Sequence, residues 1–223
     1  MRKQTLSAIF ISALACMALG VGSGAAALAP NDGLIQIHSR SLDEFFVRPD
    51  ADFQRYHKVI VDPAEVAMRK GWLKSINATR GPSRWLVPED ARNITDNAAA
   101  SLSSAVAQSF RTRGFEVVTA PDAGVLRVSL RATDMVVNAP DVASAYPQAL
   151  FNVDAGEATL AMEVRDATSG TLLGRVVDRG TARELSSRID RAFSVTNQFW
   201  FDALFRQWAA NCIRGFESVH ISN

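Results

Sequence analysis

Residues Thr95 to Val137 constrain this chain more than any other stretch, because they spell a helix, a sharp stop, a short strand, a turn and a long strand without a break. Thr95 is a good N-cap and Asp96 places an anion in the first turn, where the helix dipole favours it. Ala98, Leu102, Ala105, Val106 and Phe110 recur at helical spacing, which predicts a surface helix with one buried stripe. Arg111 and Arg113 fill the last turn and Gly114 follows. That is the C′ position of a Schellman stop, where Phe115 can touch Phe110. Residues 115–118 predict a short strand. Pro121-Asp122-Ala123-Gly124 supplies turn chemistry: fixed φ, a short acceptor, free φ. Leu126, Val128, Leu130 and Ala132 then alternate with Arg127, Ser129, Arg131 and Thr133, as in a strand with one wet face. The phase slips at Asp134, so Met135 and Val137 carry the apolar side, and a bulge is expected there.

Other elements fit around this frame. Val59-Ile60-Val61, closed by Asp62-Pro63, reads as a short interior strand. Residues 157–166 and 171–180 alternate on either side of Asp166-Ala167-Thr168-Ser169-Gly170 and predict a hairpin. From about Ser194, Trp200, Leu204, Trp208 and Cys212 fall at i, i+4, i+8 and i+12, beside Phe201, Phe205, Ala209 and Ile213. That wide apolar face suits a helix lying on a sheet, with Asp202 and Arg206 as a flanking pair and Gly215 as its end. Leu42 to Val47 reads as a helical turn within a lead-in arm over 28–55, and residues 64–93 as a long packed loop. The strand near 58–62, a crossover through the first helix and a return strand make a right-handed β-α-β unit. The expected fold is a two-layer α/β (α+β) sandwich: a mixed sheet of about five strands, covered on one face by two main helices. The domain spans 56–216 and a tail follows over 217–223.

The N-terminus carries Arg2-Lys3, an apolar run from Leu6 to Leu19 and small residues through Ala29, which is an export-signal pattern. Ala25-Ala26-Ala27 fits signal-peptidase cleavage between Ala27 and Leu28, which gives a signal peptide over 1–27. A second reading lipidates Cys16, after Ala13-Leu14-Ala15. It suits the pattern less well, because Met17, Ala18, Leu19 and Val21 continue the apolar run past the cysteine. A retained membrane helix fits least, since Gly20, Gly22 and Gly24 weaken its far end. Export predicts a periplasmic or secreted protein; lipidation predicts an outer-membrane-associated lipoprotein. Either route leaves Cys212 as a lone thiol on an apolar stripe, expected to be buried and inert.

Charge is nearly balanced at +1, and loss of Arg2 and Lys3 leaves 22 basic against 23 acidic residues. No basic surplus points to nucleic acid or to an anionic membrane, so a membrane is expected only through an anchor at Cys16. No nucleophile elbow, phosphate loop, dinucleotide fingerprint or paired-His motif occurs. His38, His57 and His220 stand apart. Asp62 and Asp134 have no His partner and do not make a catalytic pair. No catalytic residue, cofactor or metal ligand is therefore assigned. Trp72 and Trp85 in the 64–93 loop, with Tyr146, are the candidate ligand contacts, and pinning the loop to the core is the competing role for both tryptophans.

The run Ala51 to Val66 (ADFQRYHKVIVDPAEV), the Gly124-Val125-Leu126-Arg127-Val128 strand start, the hairpin Gly156 to Gly180 and a closing helix centred on Trp resemble a bacterial family of envelope lipoproteins of unknown function, domain-of-unknown-function family 3313. The resemblance covers about residues 51–214 and rests on strand ends, turns and core positions. It implies export, often with a lipid anchor, and it carries no catalytic residue to transfer. The Leu-x-Gly-Cys usual at the family's anchor is absent here. The leading expectation is a non-enzymatic envelope protein that binds a protein partner or assembly through the wet sheet face or the 64–93 loop. The alternative is a small-molecule, lipid or glycan binder built on Trp72, Trp85 and Tyr146, and an uncharacterised hydrolase comes last.

Overall fold

The computed structural model describes residues 33–138, 154–183 and 197–219. Ala27, Leu28 and Cys16 at the processing sites, Tyr146 and His220 lie outside them. Eight strands form one mixed sheet: β1 (Ile35–Gln36), β2 (Glu44–Val47), β3 (Lys58–Val61), β4 (Glu65–Met68), β5 (Glu116–Val117), β6 (Val125–Val137), β7 (Asp154–Asp166) and β8 (Leu172–Arg183). Their spatial order is β1-β2-β8-β7-β6-β3-β5, with β4 beside β6 just beyond β3. The pairs from β1 across to β6 are antiparallel. Those of β3 and β4 with β6, and of β3 with β5, are parallel. The parallel pairs follow from the crossover through the helix α2 (Pro88–Thr112).

The class is the expected α/β one, but the sheet has eight strands rather than about five. Three of the additions are short strands inside segments read as arm or loop. β1 and β2 belong to residues assigned to a lead-in arm, and Leu42–Val47 is therefore not a helical turn. Phe45 and Val47 point inward at 2% and 1% exposure, while β2 pairs Glu44–Val47 with Gly174–Val177 of β8. β4 lies in the expected loop 64–93, which also holds α1 (Trp72–Ala78) and a 3-10 turn at Pro82–Arg84. These three strands are too short to show a period, and they lack the β-branched run that marks β3 and the flanking helix stop and turn that mark β5.

Helix α2 starts at Pro88 instead of after Thr95. Pro88 occupies its first position with Glu89 and Asp90 in the first turn, the arrangement that the fixed proline φ and the helix dipole both favour. Asp90 accepts the Val87 N–H at 2.7 Å. Thr95 lies inside the helix and returns its hydroxyl to the Arg92 carbonyl at 2.8 Å, so its capping chemistry is used as a back-bond. The stop is the expected one. Gly114 has φ +84, the Phe115 N–H donates to the Phe110 carbonyl at 3.1 Å, and the two rings meet at 5.2 Å.

The bulge at Asp134 is also present. Register with β7 shifts between Thr133 and Val136, and Asp134 takes φ +52. After it, Met135 and Val137 rejoin the buried face. α2 and α3 (Asn197–Ser218) lie side by side on that face. α3 runs three residues past Gly215, which passes close to Leu42 and Phe45. A methyl at Gly215 would make only ordinary contact with those two residues, so the glycine neither ends the helix nor is required there by packing. Cys212 is fully buried, and burial, aided by Asp178, holds its thiol well above the ordinary range.

Candidate functional site

The helix-free face of the sheet is charged and largely paired with itself. Asp62 at the end of β3 takes Arg127 at 2.9 Å and the Ser129 hydroxyl at 3.0 Å, and Glu65 takes Arg131 at 2.9 Å. Glu163 bridges Arg165 and the buried Arg175, each at 2.9 Å. Burial would raise the Glu163 carboxyl, but hydrogen bonds from those two arginines outweigh it and leave the group below its usual value. Glu157 joins Arg69 at 2.6 Å and Arg179 at 3.4 Å, and the Arg69 hydrogen bond lowers it first. Exposed pairs of this kind add little stability each, and they leave few unmatched charges for a partner.

A cleft of about 400 Å³ opens at the other end of the molecule's parallel strands, where α2 and α3 both terminate beside the start of β6. Five separate segments line it. Phe53 and Tyr56 come from the 3-10 turn Phe53–Arg55 and its exit. Phe110 and Phe115 come from the α2 stop, Leu126 and Val164 from the sheet, and Ile213 and Phe216 from α3. Polar groups appear at its rim as Gln54, His57 and Glu217, and Glu217 is held by Arg113 of α2. Phe216 is wedged against Phe45 and Phe53, with ring centres 5.1 and 5.3 Å away. Its seat exists because β8 has glycine at position 174, where a Cβ would come within 2.3 Å of the Phe216 ring.

Beneath the cleft, Asp166 ties the β7–β8 turn to the Tyr56 segment. Its carboxylate accepts the Tyr56 hydroxyl at 2.8 Å and Arg55 at 3.2 Å. It also accepts the Thr168 N–H at 3.1 Å, the Ser169 N–H at 2.7 Å and the Ser169 hydroxyl at 2.9 Å. The Ser169 backbone bond is the largest of the influences that hold Asp166 far below the ordinary carboxylate range. Burial, then the hydrogen bond to Asp166, raises the Tyr56 hydroxyl. At neutral pH one group is therefore fixed as an anion and the other as a donor. The pair is suited to bracing the wall of the cleft and not to passing a proton.

The structure separates the residues that sequence reading grouped as ligand contacts. Trp72 is 5% exposed and donates its indole N–H to the Val137 carbonyl at 3.0 Å, so it fastens α1 to the end of β6. Trp85 stands 57% exposed, with its N–H donated to the Arg80 carbonyl at 3.1 Å. Neither lines the cleft. Asp62 and Asp134 do not meet, since one caps an ion pair and the other forms the bulge. Among the described residues no three His, Cys, Asp or Glu side chains gather as a metal site, and no helix is long and apolar enough to cross a membrane. A second concavity, of about 560 Å³, follows the polar seam between α2 and α3. There Asp202 accepts from the Ser101 hydroxyl, and no Asp202–Arg206 ion pair forms among the described residues.

The sequence model of the family described as "Protein of unknown function (DUF3313)" matches residues 26–212. The chain belongs to that family. No curated protein matches this DUF3313 chain. Among solved structures it is similar to a PelC dodecamer from Paraburkholderia phytofirmans, at 14% identity and TM-score 0.36, covering 80% of this chain and 95% of that one. Protein XCC0632 from Xanthomonas campestris gives 14% identity and TM-score 0.34, covering 74% and 89%. The hypothetical protein CT253 from Chlamydia trachomatis gives 9% identity and TM-score 0.35, covering 75% and 99%. Likeness at this level carries no inference for the DUF3313 chain.

Proposed function

We propose that this DUF3313 protein is an exported, non-enzymatic envelope component that binds the apolar part of an amphiphile, a single acyl chain or a flat ring system, in the cleft between the ends of α2 and α3. The observation that carries the reading is the cleft itself. It lies within the size range of ligand pockets, about 300–1,000 Å³. It is lined mainly by apolar and aromatic side chains, and its polar lining residues Gln54, His57 and Glu217 are exposed to solvent. That gradient matches a molecule whose polar end stays in water. Export is supported by Arg2-Lys3, the apolar run and Ala25-Ala26-Ala27.

A ladder of straight-chain fatty acids tests the site. Each methylene that enters the cleft contributes about 0.8 kcal/mol, or roughly fourfold in affinity. Competition against an environment-sensitive apolar dye should therefore show affinity climbing steadily with length and then levelling once the cleft is full. Affinities that do not change along the ladder would remove the reading. Location is tested by the intact mass of the protein from separated cell fractions. A soluble form beginning at Leu28 is expected; a membrane form beginning at acylated Cys16 would move the protein to the lipoprotein class, and an unprocessed cytosolic form would end the export reading.

A protein partner on the helix-free sheet face is the second reading. It is favoured by a broad sheet face that no described helix covers, where Arg127 and Arg179 are more than half exposed although each is paired with a carboxylate of the same face. Charge reversal of Arg127, with the fatty-acid ladder unchanged and a captured envelope partner lost, would distinguish it from the first.

A further inference from the structure

Net charge conceals a segregation along the chain. Between Val66 and Pro88 the sequence has five basic residues, Arg69, Lys70, Lys74, Arg80 and Arg84, and no acidic one. The structure folds this stretch into an elbow. Asn77 closes it by donating to the Leu86 carbonyl at 2.9 Å and accepting the Leu86 N–H at 2.8 Å. Arg69 is engaged by Glu157, while Lys70, Lys74 and Arg84 are exposed. At the tip stand Trp85 and Val87, 57% and 52% exposed, two of the three large apolar side chains that the described residues leave in water. The bordering acid is Glu89; its neighbour Asp90 is committed to the α2 N-terminus.

The Trp85 geometry narrows what this tip meets. Its N–H is already satisfied by the Arg80 carbonyl, so it offers a partner its ring and no donor. A ring tethered to its own backbone, close in sequence to an apolar Val and within a stretch whose charges are all basic, matches the boundary of a bilayer. There indoles settle at headgroup depth and basic side chains meet anionic headgroups. An acidic protein would use the cations but gain little from the ring. We propose that the elbow of residues 69–87 docks on an anionic phospholipid surface, with Trp85 and Val87 at the headgroup boundary and Lys70, Lys74 and Arg84 over the headgroups. This surface is separate from the cleft and does not depend on what the cleft binds.

The test is co-sedimentation of the full-length protein with vesicles of phosphatidylglycerol in phosphatidylcholine, against phosphatidylcholine alone. The N-terminal segment is common to wild type and variants, so its share cancels when their ratios are compared. Each basic side chain near an anionic surface is worth about fivefold in partition, so Lys70→Gln with Lys74→Gln should lower that ratio about 25-fold. High salt should lower it as well. Acyl-chain-brominated lipid should quench fluorescence in the wild type and much less in Trp85→Phe. Both variants change exposed side chains and should melt as the wild type does. Equal binding to the two vesicle types, or variants that bind as the wild type does, would overturn the proposal. Tighter capture by polyglutamate than by the vesicles, with unquenched Trp85, would overturn it in favour of an acidic protein.

Discussion

Gly156→Ala is expected to cost the fold about 4 kcal/mol, the largest loss from adding a single methyl to this chain. Gly156 lies in β7 opposite Val137, just past the Asp134 bulge, with φ +155. A Cβ there would stand 1.9 Å from the Val136 carbonyl oxygen and 3.0 Å from the Phe201 ring. The first of these is backbone, which cannot swing aside as a flexible side chain could. The bulge has drawn the β6 carbonyl into the space where any other residue would carry its side chain. A domain of this size shifts its melting midpoint by about 2–4 °C per kcal/mol, so the variant should melt some 8–16 °C below the wild type. Gly170→Ala is the matched control. It also has positive φ, +72, but meets open space, and only the conformational cost of about 1 kcal/mol should remain. Urea unfolding of the two variants side by side reads the difference; equal losses would mean that the bulge relaxes to admit the methyl.

The second large effect is at Asp166. Asp166→Ala removes the acceptor for five donors at a side chain only 10% exposed. Loss of about 3 kcal/mol at pH 7 is expected, since Tyr56 and the turn amides lose a charged partner together. The dependence on pH has a definite sign. The folded-state carboxyl is held below its unfolded value of about 3.9, so its stabilisation is complete above that value and declines as pH falls through and below it. The gap in urea midpoint between wild type and variant should be full at pH 7 and narrow steadily from about pH 4 downward. A gap at pH 3 as wide as at pH 7 would show that Asp166 acts through shape and not through charge. Because Tyr56 walls the cleft, the same variant should also weaken the longest fatty acids of the ladder.

What sequence reading reached, and what it missed, divides by range along the chain. The Phe110-Gly114-Phe115 stop, the Asp134 bulge, the Asp62-Pro63 strand end and the hairpin around Asp166–Gly170 are each written within a few consecutive residues, and all were legible. β1, β2 and β4 were not, because they have neither the β-branched run of β3 nor the bounding stop and turn of β5, and acquire their identity from the neighbour they pair with. The start of α2 was misplaced because Thr95 offers good cap chemistry. Pro88-Glu89-Asp90 offers it earlier, and the tertiary brace from Asn77 to Leu86 decides between them. The cleft was the least legible feature. Phe110 and Phe115 read as a helix stop, Phe53, Tyr56 and Phe216 carry no motif of their own, and only folding shows that five segments stop short of filling the space they enclose. The basic elbow was hidden differently: its cations are spaced too widely to form a run, and the acids elsewhere cancel them in the total.

β6 is one of the continuous features shared by both ends of the domain. Leu126 near its start lies in the cleft, and Val137 at its end receives the Trp72 indole at the root of the elbow. At about 3.3 Å per residue those positions are some 35 Å apart. The strand is thus a rigid spacer. A molecule seated on a bilayer by its elbow would therefore keep its cleft at a fixed distance, measured along β6, from the point of contact.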